Sequence, residues 1–294
     1  MTSSQGNNNE ESPSRLSLAG VKVRFGETLA LDDLSLEVEP EERVAVIGAS
    51  GAGKSTLFRA LTRTVTLTGG KVTLGGRDLY TLSKKELKGV RRRVGTIYQS
   101  YNLVPQLPAG LNAALGEVGD MGSAKALRTF LTGPNRALAK SVEAALERVG
   151  LAGLARQRTA DLSGGQQQRV AVARLLVQRP DLVLADEPFA AVDPLTTERV
   201  VEALFDLNGE GATLVVNLHD VQIARRFPRI VALREGRLVF DGPPERLTEE
   251  GLDRIYAGDP YGTGASPLKG GEDPLHCRQD PVRISEGRDG ISAH

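Results

Sequence analysis

Two kinds of hydrophobic run are written along this chain, and they predict two kinds of strand. Residues 16–25, 34–38 and 71–74 are short strand-like runs broken by Gly26, Pro40 and the Gly69-Gly70 pair, and together they predict a small antiparallel unit. Residues 43–47, 182–185 and 213–216 are β-rich and almost free of polar interruptions, as expected of strands covered on both faces in a parallel sheet. A helical pattern follows each of these three. Between Gln99 and Ser163 the chain turns Ala-, Leu- and Arg-rich, most clearly over 139–149, with no convincing strand, which predicts a helical insert at about residues 100–165. The pattern fades at both ends: residues 1–14 lack periodicity, and 258–294 are rich in Gly, Pro and mixed charge with little to bury. Both tails are expected to stay disordered, leaving 15–257 as the folded α/β unit. No repeat of fixed period is present.

Composition narrows the picture. With 294 residues, 40% hydrophobic and 25% charged, the chain has the make-up of an ordinary globular protein, not of a collagen, a coiled coil or a wholly disordered chain. Lys plus Arg and Asp plus Glu both total 37, so no net field draws it to nucleic acid or to an anionic membrane. The single cysteine, Cys277, can form neither an internal disulfide nor a multi-Cys metal site; it fits a reducing cytoplasm, where it is expected to be a bystander thiol. No apolar stretch approaches the ~20 residues needed to cross a bilayer, so any membrane role is expected to run through a partner.

The chemistry concentrates after the first buried strand. Gly48-Ala49-Ser50-Gly51-Ala52-Gly53-Lys54-Ser55-Thr56 fits G-x-x-x-x-G-K-[ST] at every fixed position, between a strand and a helix expected over 55–64. The glycines let successive N–H groups turn inward around phosphate oxygens, and the helix start adds its dipole. Lys54 would reach the β- and γ-phosphates and the Ser55 hydroxyl would hold Mg²⁺. A plain Gly-rich turn would not need Lys followed by Ser in that register. Downstream, Leu182-Val183-Leu184-Ala185-Asp186-Glu187 ends an apolar strand in two carboxylates. Asp186 is placed to act on Mg²⁺ and Glu187 to orient or deprotonate an attacking water. Alone, that ending is explained equally well by capping of the next helix.

Leu162-Ser163-Gly164-Gly165-Gln166 precedes a helical run over 167–178. Ser163 is a good N-cap in its own right, and its amides with those of Gly164 and Gly165 also form a second anion-binding helix terminus. This segment resembles the signature of ATP-binding-cassette (ABC) ATPases, and the resemblance covers nearly all of 15–250 with the motifs in the family's order. It implies a P-loop NTPase core with an N-terminal antiparallel β subdomain and a helical insert, binding ATP and Mg²⁺ as a head-to-tail homodimer whose signature, Ser163, Gly164, Gly165 and Gln166, closes on the partner's nucleotide. By the same resemblance Phe25 stacks on adenine, Gln99 reaches Mg²⁺ and the water, Asp193 lies in the loop crossing the dimer interface, and His219 contacts the γ-phosphate. Each has a plainer explanation: a core aromatic, a polar residue after a strand, an N-cap before Pro194, a structural histidine.

Two departures from the family stand out. Ala190-Ala191-Val192-Asp193 lacks the serine that usually precedes the interface Leu-Asp, and Pro105-Gln106-Leu107-Pro108-Ala109-Gly110 is unusual where a permease's coupling helix docks. Tyr101-Asn102-Leu103-Val104, Leu184-Ala185-Asp186-Glu187-Pro188, Asn217-Leu218-His219-Asp220-Val221 and Val239-Phe240-Asp241-Gly242-Pro243-Pro244 look most like ATP-binding subunits of bacterial phosphonate importers. That likeness implies a peripheral ATPase at the cytoplasmic face of the inner membrane, joined to separate permease subunits and, through them, to an extracytoplasmic solute-binding protein. Alternatives are an importer ATPase for another small solute such as an amino acid, or a soluble ABC ATPase of DNA repair or translation. The latter is disfavoured by the lack of coiled-coil or zinc-bearing inserts, of a second cassette and of a basic footprint. A small-molecule phosphotransferase would leave the signature without a role.

Overall fold

The computed structural model describes residues 15–98, 101–119, 121, 127–129, 131, 133–188 and 194–257. Gln99, Asp193, the Ala190-Ala191 pair, Cys277 and both predicted tails lie outside the described residues.

The first layer is an antiparallel sheet in the order β2-β1-β4-β5, built from β1 (Leu16–Phe25), β2 (Thr28–Val38), β4 (Gly69–Leu74) and β5 (Arg77–Asp78). Gly69-Gly70, expected to break the chain, belongs to β4. Gly70 has φ 81°, and a Cβ there would stand 2.3 Å from the Gly20 carbonyl oxygen, so the glycine allows β4 to close on β1 at a register shift.

The second sheet has the order β10-β9-β3-β8-β7-β6, from β3 (Arg43–Ile47), β6 (Val94–Ile97), β7 (Leu182–Asp186), β8 (Thr213–Asn217), β9 (Arg229–Arg234) and β10 (Arg237–Gly242). Only the β9–β10 hairpin is antiparallel. Its central strands split their side chains between two cores. Ala45, Ile47, Val183, Ala185, Leu214 and Val216 pack toward the helices, while Val44, Val46, Leu182, Leu184 and Val215 join the antiparallel sheet and the first helix. Both faces are buried, which is why these strands read as unbroken apolar runs. At about 1.5–3 kcal/mol for each large apolar side chain fully removed from water, this two-sided burial is what fixes the strand ends that carry the chemistry.

Helix α1 (Lys54–Leu61) follows β3, ending three residues short of its expected limit where Arg63 turns left-handed at φ 51°. Helix α2 (Lys84–Arg93) leads into β6. Helices α3 (Ala109–Val118), α4 (Arg136–Arg148) and α5 (Gly164–Gln178) follow. The Pro105–Gly110 stretch is laced to the segment ahead of Ser163. Ala109 N–H donates to Gln157 O at 2.9 Å, and the buried Asn112 side chain bonds Val104 and Thr159 Oγ1. Helices α6 (Pro194–Gly209), α7 (Val221–Ala224) and α8 (Glu249–Tyr256) complete the chain.

Candidate active site

Residues 48–53 join β3 to α1, and two of their glycines are required by close backbone approach. Gly48 has φ 150° and a Cβ there would stand 2.3 Å from Leu233 O; Gly53 has φ 103°, precedes α1, and its Cβ would stand 2.6 Å from Ala30 O. The loop is thereby pressed against β2 and the β9–β10 hairpin, whose Gly236 N–H donates to Ala52 O at 3.0 Å. Lys54 is only 5% exposed, and its ammonium turns back into the loop to donate to Gly48 O at 2.6 Å and Ala49 O at 3.0 Å. The cation expected to reach phosphate is thus held inside the curve of the backbone, beside the start of α1. Ser50, Gly51 and Ser55 are exposed, Ala49 and Thr56 half-buried and Ala52 buried.

The carboxylates are set by the parallel register of β7 and β8, which places Asp186 opposite Asn217. Asn217 is fully buried; its Nδ2 donates to Asp186 Oδ1 at 2.6 Å, and its own Oδ1 has no partner among the described residues. One position on, Glu187 adopts φ 54° and donates its N–H to Asn217 O at 3.2 Å. That turn aims its side chain at His219: Glu187 Oε1 and His219 Nε2 are 2.6 Å apart, the carboxylate 17% and the imidazole 56% exposed. Asp220 caps α7 by accepting from Gln222 N at 2.7 Å and Ile223 N at 3.3 Å, which fixes the turn carrying His219. The pair opens on a cavity of about 400 Å³ bounded by Pro194, Thr197, Ile223 and the Glu198–Arg226 ion pair. An exposed imidazole bonded to a shielded carboxylate, with Asp186 adjacent, can hold and orient a water or a phosphate oxygen.

Phe25 ends β1 and is 47% exposed, presenting an aromatic face to solvent. Ser163 does cap α5: it accepts from Gln166 N at 3.3 Å while Gln166 Oε1 accepts from Ser163 N at 2.9 Å. This capping box starts the helix three residues before the expected position. It leaves Ser163 and Gly164 exposed, with Gly165 half-buried. Asn217 and Asp220 were not predicted as site residues. The available signal for Asn217 was an amide ending an otherwise apolar strand, a polar group that burial obliges to find a partner.

A model of the family described as ABC transporter matches residues 31–190, spanning the lysine loop, the signature and Asp186-Glu187. The chain belongs to the ABC transporter family. As an ABC ATPase, it hydrolyses ATP. The chain is 44% identical over 243 residues to the phosphonates import ATP-binding protein PhnC of Bradyrhizobium diazoefficiens, covering 82% of this chain and 89% of that one. It is 42% identical over 261 residues to PhnC 2 of Rhodopseudomonas palustris strain BisB18, covering 87% and 95%. Among solved structures, the ATP-binding cassette MJ0796, a dimer in a post-hydrolysis state bound to ADP and Pi, superposes with a TM-score of 0.70 at 31% identity over 78% of this chain and 98% of that one. Among the described residues of this ABC cassette, no helix is long and apolar enough to cross a membrane.

Proposed function

We propose that this ATPase powers import of a phosphonate or a related phosphorus oxyanion, working as a homodimer on separate permease subunits that an extracytoplasmic solute-binding protein loads, at the cytoplasmic face of the inner membrane. The observation that carries the cargo is the 44% identity with the Bradyrhizobium phosphonates import protein across most of both chains. The dimer rests on the signature at Ser163–Gln166 and on the dimeric MJ0796 cassette.

In this reading the adenine stacks on Phe25 and the phosphates enter the turn of residues 48–56. Lys54 exchanges its bonds to Gly48 O and Ala49 O for β- and γ-phosphate oxygens. Among the described residues no three His, Cys, Asp or Glu side chains gather so as to hold a metal ion, so Ser55 and Asp186, with Gln99, oxygen donors of the hard type Mg²⁺ takes, would hold it together with the nucleotide's own oxygens. Mg²⁺, when bound, offsets the charge on the phosphate oxygens. Asn217 keeps Asp186 turned toward that position. Glu187 takes the proton of the attacking water, and His219, bonded to Glu187, reports the γ-phosphate to it. Ser163, Gly164, Gly165 and Gln166 of the second copy complete the anion site, with the Gly164 and Gly165 amides outside the capping box, and Asp193 joins the two.

The test is uptake of a labelled phosphonate by cells with no second phosphonate importer, carrying wild type or Lys54→Ala. Uptake is expected to vanish in the variant. Equal uptake overturns the cargo while leaving the ATPase untouched.

A further inference from the structure

The β9–β10 hairpin and α8 enclose a second cleft, of about 380 Å³, which shares no lining residue with the site above. One wall is apolar: Val239, half-exposed, with Phe240, Leu247 and Ile255. The lining also includes three arginines, Arg234, Arg246 and Arg254.

What distinguishes these arginines is that, among the described residues, only one of them lies within ion-pair distance of a carboxylate. Their neighbours are matched: Arg225 with Glu249, Arg226 with Glu198, Arg229 with both Glu42 and Asp241, Arg237 with Asp32. In the cleft, Arg234 Nη1 donates to Arg254 O at 2.6 Å and Arg254 Nε to Glu250 O at 3.2 Å, both backbone acceptors. Among the described residues the one carboxylate within ion-pair distance is Glu235, 3.4 Å from Arg234 and 81% exposed. The Arg246 guanidinium has no hydrogen-bond or ion-pair partner among the described residues. Arg246 and Arg254 are exposed, so their guanidinium groups keep donors open to an anion from solution.

We propose that this cleft binds a small phosphorus oxyanion carrying a short apolar substituent, of which an alkylphosphonate is the type. Guanidinium forks match the paired oxygens of a tetrahedral oxyanion, and the Val239, Phe240, Leu247 and Ile255 wall takes the carbon substituent. Phosphorus as the central atom rests on the import reading above; the charge and the apolar wall do not. The hairpin places the ligand on the strand pair whose Gly236 is bonded to Ala52 of the lysine loop.

The test is calorimetric titration of the full chain, saturated with ADP and Mg²⁺ so that the lysine loop is filled, with ethylphosphonate and with inorganic phosphate. Ethylphosphonate is expected to bind several-fold more tightly than phosphate, and Arg246→Gln and Arg254→Gln are each expected to weaken it by about tenfold, the loss of one charge-assisted contact. No binding at millimolar ethylphosphonate, equal affinity for phosphate, or undiminished affinity in both variants overturns the proposal. Should those variants unfold, Val239→Ser at the exposed rim carries the test: ethylphosphonate affinity falls and phosphate affinity holds, or the proposal fails. Binding is read without transport, so it stands or falls separately from the uptake experiment.

Discussion

Glu187 and His219, 32 positions apart in sequence, are joined by a 2.6 Å hydrogen bond. The parallel register of β7 and β8 brings them together, since it sets Asp186 against Asn217 and releases both strands at the same edge of the sheet. The left-handed turn at Glu187, φ 54°, then swings the carboxylate toward the imidazole. A non-glycine residue in that region of backbone space is uncommon, and here two backbone-anchored strands hold it.

Glu187→Gln is therefore expected to preserve the geometry and remove the base. Hydrolysis should slow by about 10²–10⁴-fold, the usual loss for a general base, while ATP binding persists. Size-exclusion chromatography with ATP and Mg²⁺ should show twice the monomer mass. A persistent monomer at high protein concentration would count against the composite site.

Asn217 is the buried hinge of this arrangement. Asn217→Ala removes the donor to Asp186, a bond to a charged group of the kind worth about 1.5–3 kcal/mol, and should lower ATPase activity more than Glu187-independent ATP binding. Asn217→Asp sets a second carboxylate against Asp186, and the two like charges repel as both ionise. Relative to wild type, the variant should therefore lose stability as pH rises from acid to neutral. Thermal melts of both proteins across that range check this, and parallel Tm curves with full activity would refute the role of Asn217.

Tyr80 offers an alkaline test of the packing behind α1. Its hydroxyl lies 3.0 Å from Ala60 O and 2.9 Å from Val65 O and shares its one proton between them. Burial pushes its pKa up from 10.0 to about 12, with the Arg63 guanidinium pulling the other way and the Asp78 carboxylate adding to the rise. A folded value above the unfolded one means the contribution is whole below pH 10 and is lost as pH rises toward 12. Wild type should lose stability over that window faster than Tyr80→Phe, as measured by paired denaturant melts; parallel curves would contradict the assignment.

Much of the layer structure was legible because burial writes itself into the strands: Arg43–Ile47, Leu182–Asp186 and Thr213–Asn217 are buried on both faces and so carry almost no polar residues. The lysine loop and Asp186-Glu187 were legible for a different reason, since phosphate chemistry demands particular residue types at fixed spacing. The sheet order was not, because crossovers rather than local pattern decide which strands pair. Strand β6, Val94–Ile97, has four residues with a glycine and a threonine inside, too short for any period to show. The Asn217–Asp186 and Glu187–His219 bonds depend on a register between strands distant in sequence, which no local spacing encodes. Gly69-Gly70 misled because a glycine pair can end a strand or let two backbones touch, and only the presence of Gly20 across the sheet decides.

The last prediction asks whether one active site is built from two chains. Ser163 and Gly164 are exposed at the start of α5; the capping box takes up the N–H groups of Ser163 and Gln166 and leaves those of Gly164 and Gly165 for an anion supplied from outside. If that anion is the nucleotide of a second copy, hydrolysis should rise faster than linearly with protein concentration. Lys54→Ala and Ser163→Arg should each be inactive alone, the first for want of the cation that follows charge onto the γ-phosphate, the second because a guanidinium fills the helix start. Mixed, they form dimers in which one site carries both lesions and the other neither. Partial activity should then return, up to about a quarter of wild type if the chains pair at random, half of the dimers are mixed, and each has one sound site working alone. A mixture that stays inactive at concentrations where wild type is active would mean that the sites are not shared or that both must work together. Glu187→Gln mixed with wild type separates those two, since one sound site per dimer either turns over or does not.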